Sequence, residues 1–164
     1  MDVEAIVDKV QVLGIPMVLL TGGEPMLQPE LPILAARLLE NKFQVFIETS
    51  GAHALDSLPE EVIRIVDVKT PYSGEAGRTQ SAVLRSLKKK DAIKFVLGDE
   101  ADYQWAIQKL PDCIFPYGPE ILFSPVHGQL DPKALVSWIL RDRLSVRVNL
   151  QLHKYIWGAD ISGV

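Results

Sequence analysis

Short apolar runs alternate with amphipathic helical segments along the chain, and this alternation restricts the fold more than any other feature. Residues 17–20, 43–49, 62–69, 92–97, 121–126 and 145–152 read as strands. Apolar positions 3, 6, 7 and 10 have helical spacing, with Asp2 as a candidate cap and Gly14 and Pro16 as stops. Leu31, Leu34, Ala35 and Leu38 form one face of a second helix, with Pro29 at its expected start. Residues 101–110 read as a third helix, and Asp131-Pro132 as the N-cap and first position of a fourth running to Arg141. Near-continuous apolar strands separated by helices specify a parallel sheet covered by those helices. Right-handed crossovers then leave two architectures, an open doubly wound sheet or a full or partial barrel. The links after residues 49 and 69 are rich in Gly, Pro and Ser, so little helix is expected there. The chain opens on a helix, where a repeating βα fold opens on a strand.

At 164 residues the chain is expected to form one domain over 1–164. Its net charge of −4 opposes a broad nucleic-acid footprint. The one basic run, Lys88-Lys89-Lys90, reads as a solvated turn before a strand. No apolar stretch approaches the ~18 residues of a membrane span, and the acidic, amphipathic start is unlike a secretory signal. A single cysteine, Cys113, rules out an internal disulfide and any multi-cysteine metal site built from this chain alone. It reads as a buried, inert thiol, and the cytoplasm is the expected compartment. Neither a G-x-x-x-x-G-K-[ST] loop nor a G-x-G-x-x-G fingerprint is present, and no Ser–His–acid signature stands out.

Chemistry in parallel α/β folds gathers where the strands end. The first strand ends in Thr21-Gly22-Gly23-Glu24-Pro25, the second in Glu48-Thr49-Ser50-Gly51 and the third in Asp67-Val68-Lys69. The fourth contains Lys94, and the fifth ends in Ser124-Pro125-Val126-His127. The last runs into Gln151-Leu152-His153-Lys154-Tyr155. Period two places Glu48 with Ser50, and Asp67 with Lys69, on shared faces. Two glycines allow close backbone approach to a ligand, and the carboxylate after them can accept from an ammonium group. The same Gly-Gly-Glu also serves a plain turn. His53 reads as a surface loop residue, His127 as either a ligand contact or a turn residue, and His153 as a hydrogen-bonded core residue or a ligand contact. Glu60-Glu61 reads as a turn acid pair, and Trp105, Trp138 and Trp157 as packing residues.

Leu19 to Pro25, Ile47 to Gly51, Asp67-Val68-Lys69 and Gln151 to Tyr155 occur in an order that resembles the 7-carboxy-7-deazaguanine synthases of the radical S-adenosylmethionine superfamily. The resemblance runs from about Val3 to Trp157. It implies an incomplete parallel (β/α) barrel, homodimers and a radical ring contraction. In that reaction 6-carboxy-5,6,7,8-tetrahydropterin becomes 7-carboxy-7-deazaguanine with loss of ammonia, on the way to queuosine. It also implies S-adenosylmethionine, a [4Fe–4S] cluster, Mg2+ and an external electron donor. By position, Gly22, Gly23 and Glu24 correspond to holders of the methionyl ammonium. Thr21 and His153 correspond to substrate contacts. Glu48 and Ser50 correspond to residues at the cofactor's ribose or carboxylate end. Asp67, Val68 and Lys69, with Ser124, Pro125, Val126 and His127, line the rest of the cofactor.

The family's three cluster cysteines and its magnesium ligand lie in an N-terminal loop after the first strand, and neither has a match here. The expectation is a barrel lacking its first strand, inactive alone, with an apolar seam at the open sheet edge that drives dimerisation or poor solubility. The other readings are a glycyl-radical-enzyme activase relative and a non-catalytic remnant that binds S-adenosylmethionine or a pterin.

Overall fold

The computed structural model describes residues 2–161. Six parallel strands form one sheet: β1 (Met17–Leu20), β2 (Gln44–Thr49), β3 (Ile63–Val68), β4 (Ala92–Leu97), β5 (Glu120–Pro125) and β6 (Arg147–Val148). They lie in the order β1-β2-β3-β4-β5-β6. Helices α1 (Val3–Leu13), α2 (Leu31–Glu40), α3 (Ser81–Ser86), α4 (Glu100–Cys113), α5 (Pro132–Arg141) and α6 (Leu152–Trp157) accompany them.

The strand order decides between the two architectures. Every right-handed crossover here moves the chain one strand in the same direction, so successive crossovers fall on the same side of the sheet. A doubly wound sheet needs a reversal of order, and none occurs among the described residues. The result is an incomplete (β/α) barrel, covered by helices on one face and concave on the other.

Strand alternation sorts the side chains. Val45, Ile47, Val66, Val68, Ile93, Phe95, Leu97, Ile121 and Phe123 join helix residues Leu31, Ala35, Leu38, Tyr103, Ala106, Leu135 and Ile139 in one core. The intervening residues Phe46, Glu48, Ile65, Asp67, Lys94, Leu122 and Ser124 therefore face the concave side. Phe95, Phe123, Tyr103 and Trp138 interlock through edge-on and tilted ring contacts 5.3–5.9 Å between centroids. Trp105 meets Phe95 edge-on at 6.5 Å. Trp105 and Trp138 thus pack as their helical positions imply.

Tyr103 is fully buried, and its hydroxyl donates to Asp142 Oδ2 at 2.8 Å. Burial raises the Tyr103 pKa, and the Asp142 carboxylate adds to it. Bonds from Arg141 and Tyr103 hold Asp142 down at about 2. Tyr103→Phe keeps the ring packing and removes this bond at the end of α5. It is expected to lower Tm by about 3 °C in a calorimetric melt.

Several local expectations need correction. Asp2 precedes α1 but makes no side-chain capping bond, while Gly14 ends the helix in a left-handed conformation. α2 begins at Leu31, not at Pro29, because Pro32 takes the first turn, where a missing N–H costs nothing. Asp131 and Pro132 do start α5, with the Asp131 carboxylate accepting from Lys133 N. β1 is half exposed rather than buried. Met17 is 56% and Leu19 49% exposed on the open side of the sheet. Val12 and Leu13 at the end of α1 and Ile15 just after it are exposed as well.

The expected strand over 145–152 is only Arg147–Val148, and the chain enters α6 at Leu152. Its partner β5 ends at Pro125, which has no N–H, and the next amide, Val126 N, bonds Leu97 O instead. The ladder therefore stops, although the alternation of residues 144–152 continues to read as a strand. His153 sits exposed on α6, so it is neither a strand nor a core residue. Trp157 is 52% exposed and does not pack as expected. His53 lies half-buried in its loop, and the lysine run forms the exposed turn before β4.

Candidate functional site

The turn after β1 is exposed from Thr21 to Gly23. Gly22 (φ 96°) and Gly23 (φ 50°) hold left-handed conformations that any side chain would strain. No heavy atom lies within 4 Å of where a Cβ would sit on either one. The glycines therefore meet a backbone requirement and leave open space beside the peptide groups. A cavity of about 470 Å³ reaches Thr21 and Gly22 from the side of α1 and α2. The larger cavity, about 900 Å³, opens between α3 and α4 on the helical side, where Val68 is its one candidate residue.

Glu24 closes the turn. Its Oε1 accepts from Met26 N at 3.1 Å and from Thr49 Oγ1 at 2.7 Å, and its Oε2 from Ser50 N at 2.9 Å and from Ser50 Oγ. These four donors fill the acceptor positions of a carboxylate. The group proposed from sequence to receive a ligand's ammonium is thus filled by the protein's own donors, pinning the first strand's loop to the end of β2. Burial opposes ionisation of Glu24, but the bonds from Ser50, Thr49 and the two backbone amides outweigh it and leave the pKa below the usual carboxylate value. Ser50 is held on the far side too, since Thr79 Oγ1 donates to its carbonyl at 2.8 Å. Gly51 follows at φ 70°, where a Cβ would lie 2.8 Å from Val66 Cγ1, so no other residue fits this corner.

The concave face carries charge in alternation. Lys94 pairs with Glu48 across the sheet. Lys69 bonds Asp67 Oδ2 at 2.7 Å. Asp67 Oδ1 is buried with no partner. Asp67 and Lys94 are opposed in the β3–β4 register. Ser124 is buried one pleat above Leu122, and Val126 and His127 continue past the strand end, half-buried. The His127 ring meets Tyr155 of α6 edge-on, 5.1 Å between centroids, which seats the C-terminal helix beside the end of β5.

The structure thus brings Thr21, Gly22, Gly23, Glu24, Glu48, Ser50, Asp67, Lys69, Ser124 and His127 to the C-terminal ends or the concave face of one sheet. Val68 and Pro125 point to the helical side by alternation, leaving their backbones at the rim. His153 is exposed on α6.

Two carboxylates that hold the scaffold escaped the sequence reading. Asp102, 1% exposed, accepts from Thr70 Oγ1 at 2.8 Å and from the amides of Tyr72 and Gly98 at 3.0 Å each. Asp91, also 1% exposed, accepts from Arg64 N at 2.9 Å and Lys88 N at 2.8 Å. Asp102 follows a helix-starting Asp99 and reads as an ordinary first-turn acid, so no sequence signal marked it.

Curated relatives match nearly the whole chain. The 7-carboxy-7-deazaguanine synthase of Koribacter versatilis is 40% identical over 90% of this chain and 72% of its own length. The Chlorobaculum tepidum synthase is 38% identical over 100% of this chain and 76% of its own. The chain belongs to the 7-carboxy-7-deazaguanine synthase family. A third synthase, from Methanospirillum hungatei, is 40% identical over 85% of this chain but only 58% of its own length. The crystal structure of QueE from Escherichia coli superposes with a TM-score of 0.71 at 21% identity, over 92% of this chain and 64% of that one. At that identity the superposition speaks for the barrel alone. No protein-family profile matches the chain.

The family's cofactors fit the residues unequally. The open Gly22–Gly23 turn and the unpartnered Asp67 oxygen suit a polar nucleoside with an aminoacyl end. An iron–sulfur cluster has no seat, because thiolates hold such clusters. The one thiol, Cys113, is 1% exposed and pushed up to about 11 by burial and by Asp112. Among the described residues no three His, Cys, Asp or Glu side chains gather into a metal-binding group. No helix among them is long and apolar enough to cross a membrane.

Proposed function

We propose that this chain supplies the ligand-holding rim of a 7-carboxy-7-deazaguanine synthase, the cytoplasmic radical S-adenosylmethionine lyase of queuosine biosynthesis. The observation that carries this is the meeting of Glu48, Asp67, Lys69 and Ser124 on one concave face, with the Gly22–Gly23 turn at the end of β1, in a barrel whose relatives are synthases of that product. S-adenosylmethionine is the ligand of the Gly22–Gly23 turn, its ammonium received by backbone carbonyls that Glu24 holds in place. Glu48 and Ser50 take the ribose or carboxylate end, and the Asp67 to Lys69 and Ser124 to His127 segments line the remainder. Thr21 contacts the 6-carboxy-tetrahydropterin, and His153 reaches it only if α6 turns over the rim.

When bound, the cofactor supplies a 5′-deoxyadenosyl radical. That chemistry also requires an external electron donor and a cluster whose ligands are not among these 164 residues. This chain's residues bind and orient, and the homodimer is proposed to cover the Met17–Leu19 edge.

Chemical-shift titration of the ¹⁵N-labelled chain tests the reading. S-adenosylmethionine is expected to shift the amides of residues 21–24, 48–51 and 67–69 together, with saturation. The pterin is expected to shift Thr21. Saturable shifts elsewhere, or none, would defeat the assignment. The identity of the relatives favours this reading over an activase.

A further inference from the structure

Lys94 lies outside the residues assigned so far, yet it is the most enclosed cation on the concave face. β4 sends Ile93, Phe95 and Leu97 into the core, and alternation leaves Lys94 on the opposite side, its side chain 13% exposed. An enclosed ammonium requires a partner, and two carboxylates are within reach. Asp67 is directly opposed to it in the β3–β4 register, with a side chain 10% exposed. Glu48 is farther off on β2, with β3 between, and is 28% exposed. Lys94 bonds the distant one. The adjacent Asp67 has one oxygen taken by Lys69 and the other buried without any partner.

Such an oxygen is costly to leave unpaired in a folded protein. Lys94 would relieve that cost by turning to its neighbour, so its engagement with Glu48 is what keeps Asp67 Oδ1 open. An unpaired carboxylate oxygen on a concave face suits a ligand's O–H or N–H donor and repels a ligand's carboxylate or phosphate.

We propose that Lys94 is a positioning residue of the ligand site: by holding Glu48, it keeps Asp67 Oδ1 free to accept from a hydroxyl or amino donor of the bound nucleoside or heterocycle. The proposal rests on the ligand reading above and adds to it a residue, a mechanism and the donor chemistry of the group that is read.

It makes an unusual prediction. Glu48→Gln removes the charge that retains Lys94, so the ammonium moves to Asp67 and closes the open oxygen. S-adenosylmethionine binding, followed by chemical-shift titration of the labelled chain, is expected to weaken at least tenfold. Adding Lys94→Met to Glu48→Gln reopens Asp67, and the double variant is expected to bind several-fold more tightly than Glu48→Gln alone. Lys94→Arg, which preserves the charge, is expected to stay within about threefold of the parent. A purely structural role moves all variants in step with their melting temperatures and gives no recovery in the double variant. The double variant binding no better than Glu48→Gln overturns the role of Lys94 and leaves the ligand reading standing, whereas Glu48→Gln binding like the parent overturns both the role of Lys94 and the placing of Glu48 against the ligand. Absence of saturable binding by the parent overturns both. The double variant carries neither member of the ion pair, so it remains informative if Lys94→Met alone fails to fold.

Discussion

Glu24→Ala is expected to cost about 3 kcal/mol of stability and to abolish ligand-induced shifts at Gly22 and Gly23. Four donors converge on this carboxylate, and hydrogen bonds to a charged acceptor are individually worth about 1.5–3 kcal/mol. The sum is discounted because the group is half-exposed and water replaces part of what is lost. Urea unfolding should show the loss as a lower midpoint at an unchanged slope. Glu24→Gln separates charge from shape. Its amide oxygen can still accept, but its NH2 confronts the amide and hydroxyl donors of Ser50, so an intermediate loss is expected.

The parent's pH profile follows from the same contacts. The folded-state pKa of Glu24 lies below its unfolded value, so its contribution is complete above the unfolded carboxylate range. It fades as pH falls through the lower folded-state value, where the carboxyl protonates and loses two of its donors. Glu24→Ala should therefore narrow the stability gap to the parent as the medium becomes strongly acidic. A gap that is constant with pH would mean that packing, not the charged acceptor, holds the turn.

Glu24 also shows where the sequence was legible. Its position after two glycines at a strand end pointed to the rim, and the rim is where it lies. What could not be read was its partner: Thr49 and Ser50 are 25 and 26 residues away, and only the β1–β2 pairing brings them together. The strands and helices with strong periodicity, such as residues 92–97 and the Asp131–Pro132 start of α5, were readable because local chemistry determines them.

Residues 145–152 were misread for the opposite reason. Their alternation is that of a strand, but a strand needs a donor and acceptor opposite it, and Pro125 on β5 withdraws the donor. The choice between barrel and doubly wound sheet was likewise non-local, since it resides in the strand order. On the concave face, sequence placed Glu48, Asp67 and Lys69 correctly, but it had no means of pairing Lys94 with the farther carboxylate.

Asp102→Ala should destabilise the protein more than Glu24→Ala does, by about 4 kcal/mol, enough to threaten folding of a domain with ordinary stability. The side chain is almost fully enclosed, and its removal takes the acceptor from the Tyr72 and Gly98 N–H groups, while the Thr70 hydroxyl keeps the Val96 carbonyl as its partner. Those donors belong to two pieces of chain: Thr70 and Tyr72 beyond β3, and Gly98 beyond β4. One carboxylate at the start of α4 thus ties the exit of Asp67-Val68-Lys69 to the exit of the Lys94 strand. Asp102→Asn keeps one acceptor oxygen and places a donor against donors, so about half the loss is expected. This variant should fold well enough to be titrated with ligand. If the tie sets the spacing of Asp67 and Lys94, Asp102→Asn weakens S-adenosylmethionine binding and raises hydrogen exchange at Tyr72 and Gly98, while exchange at Met26 and Ser50 is unchanged. Equal loosening at all four amides would show instead that the barrel opens as one unit, and that the two exits of the concave face are not held separately.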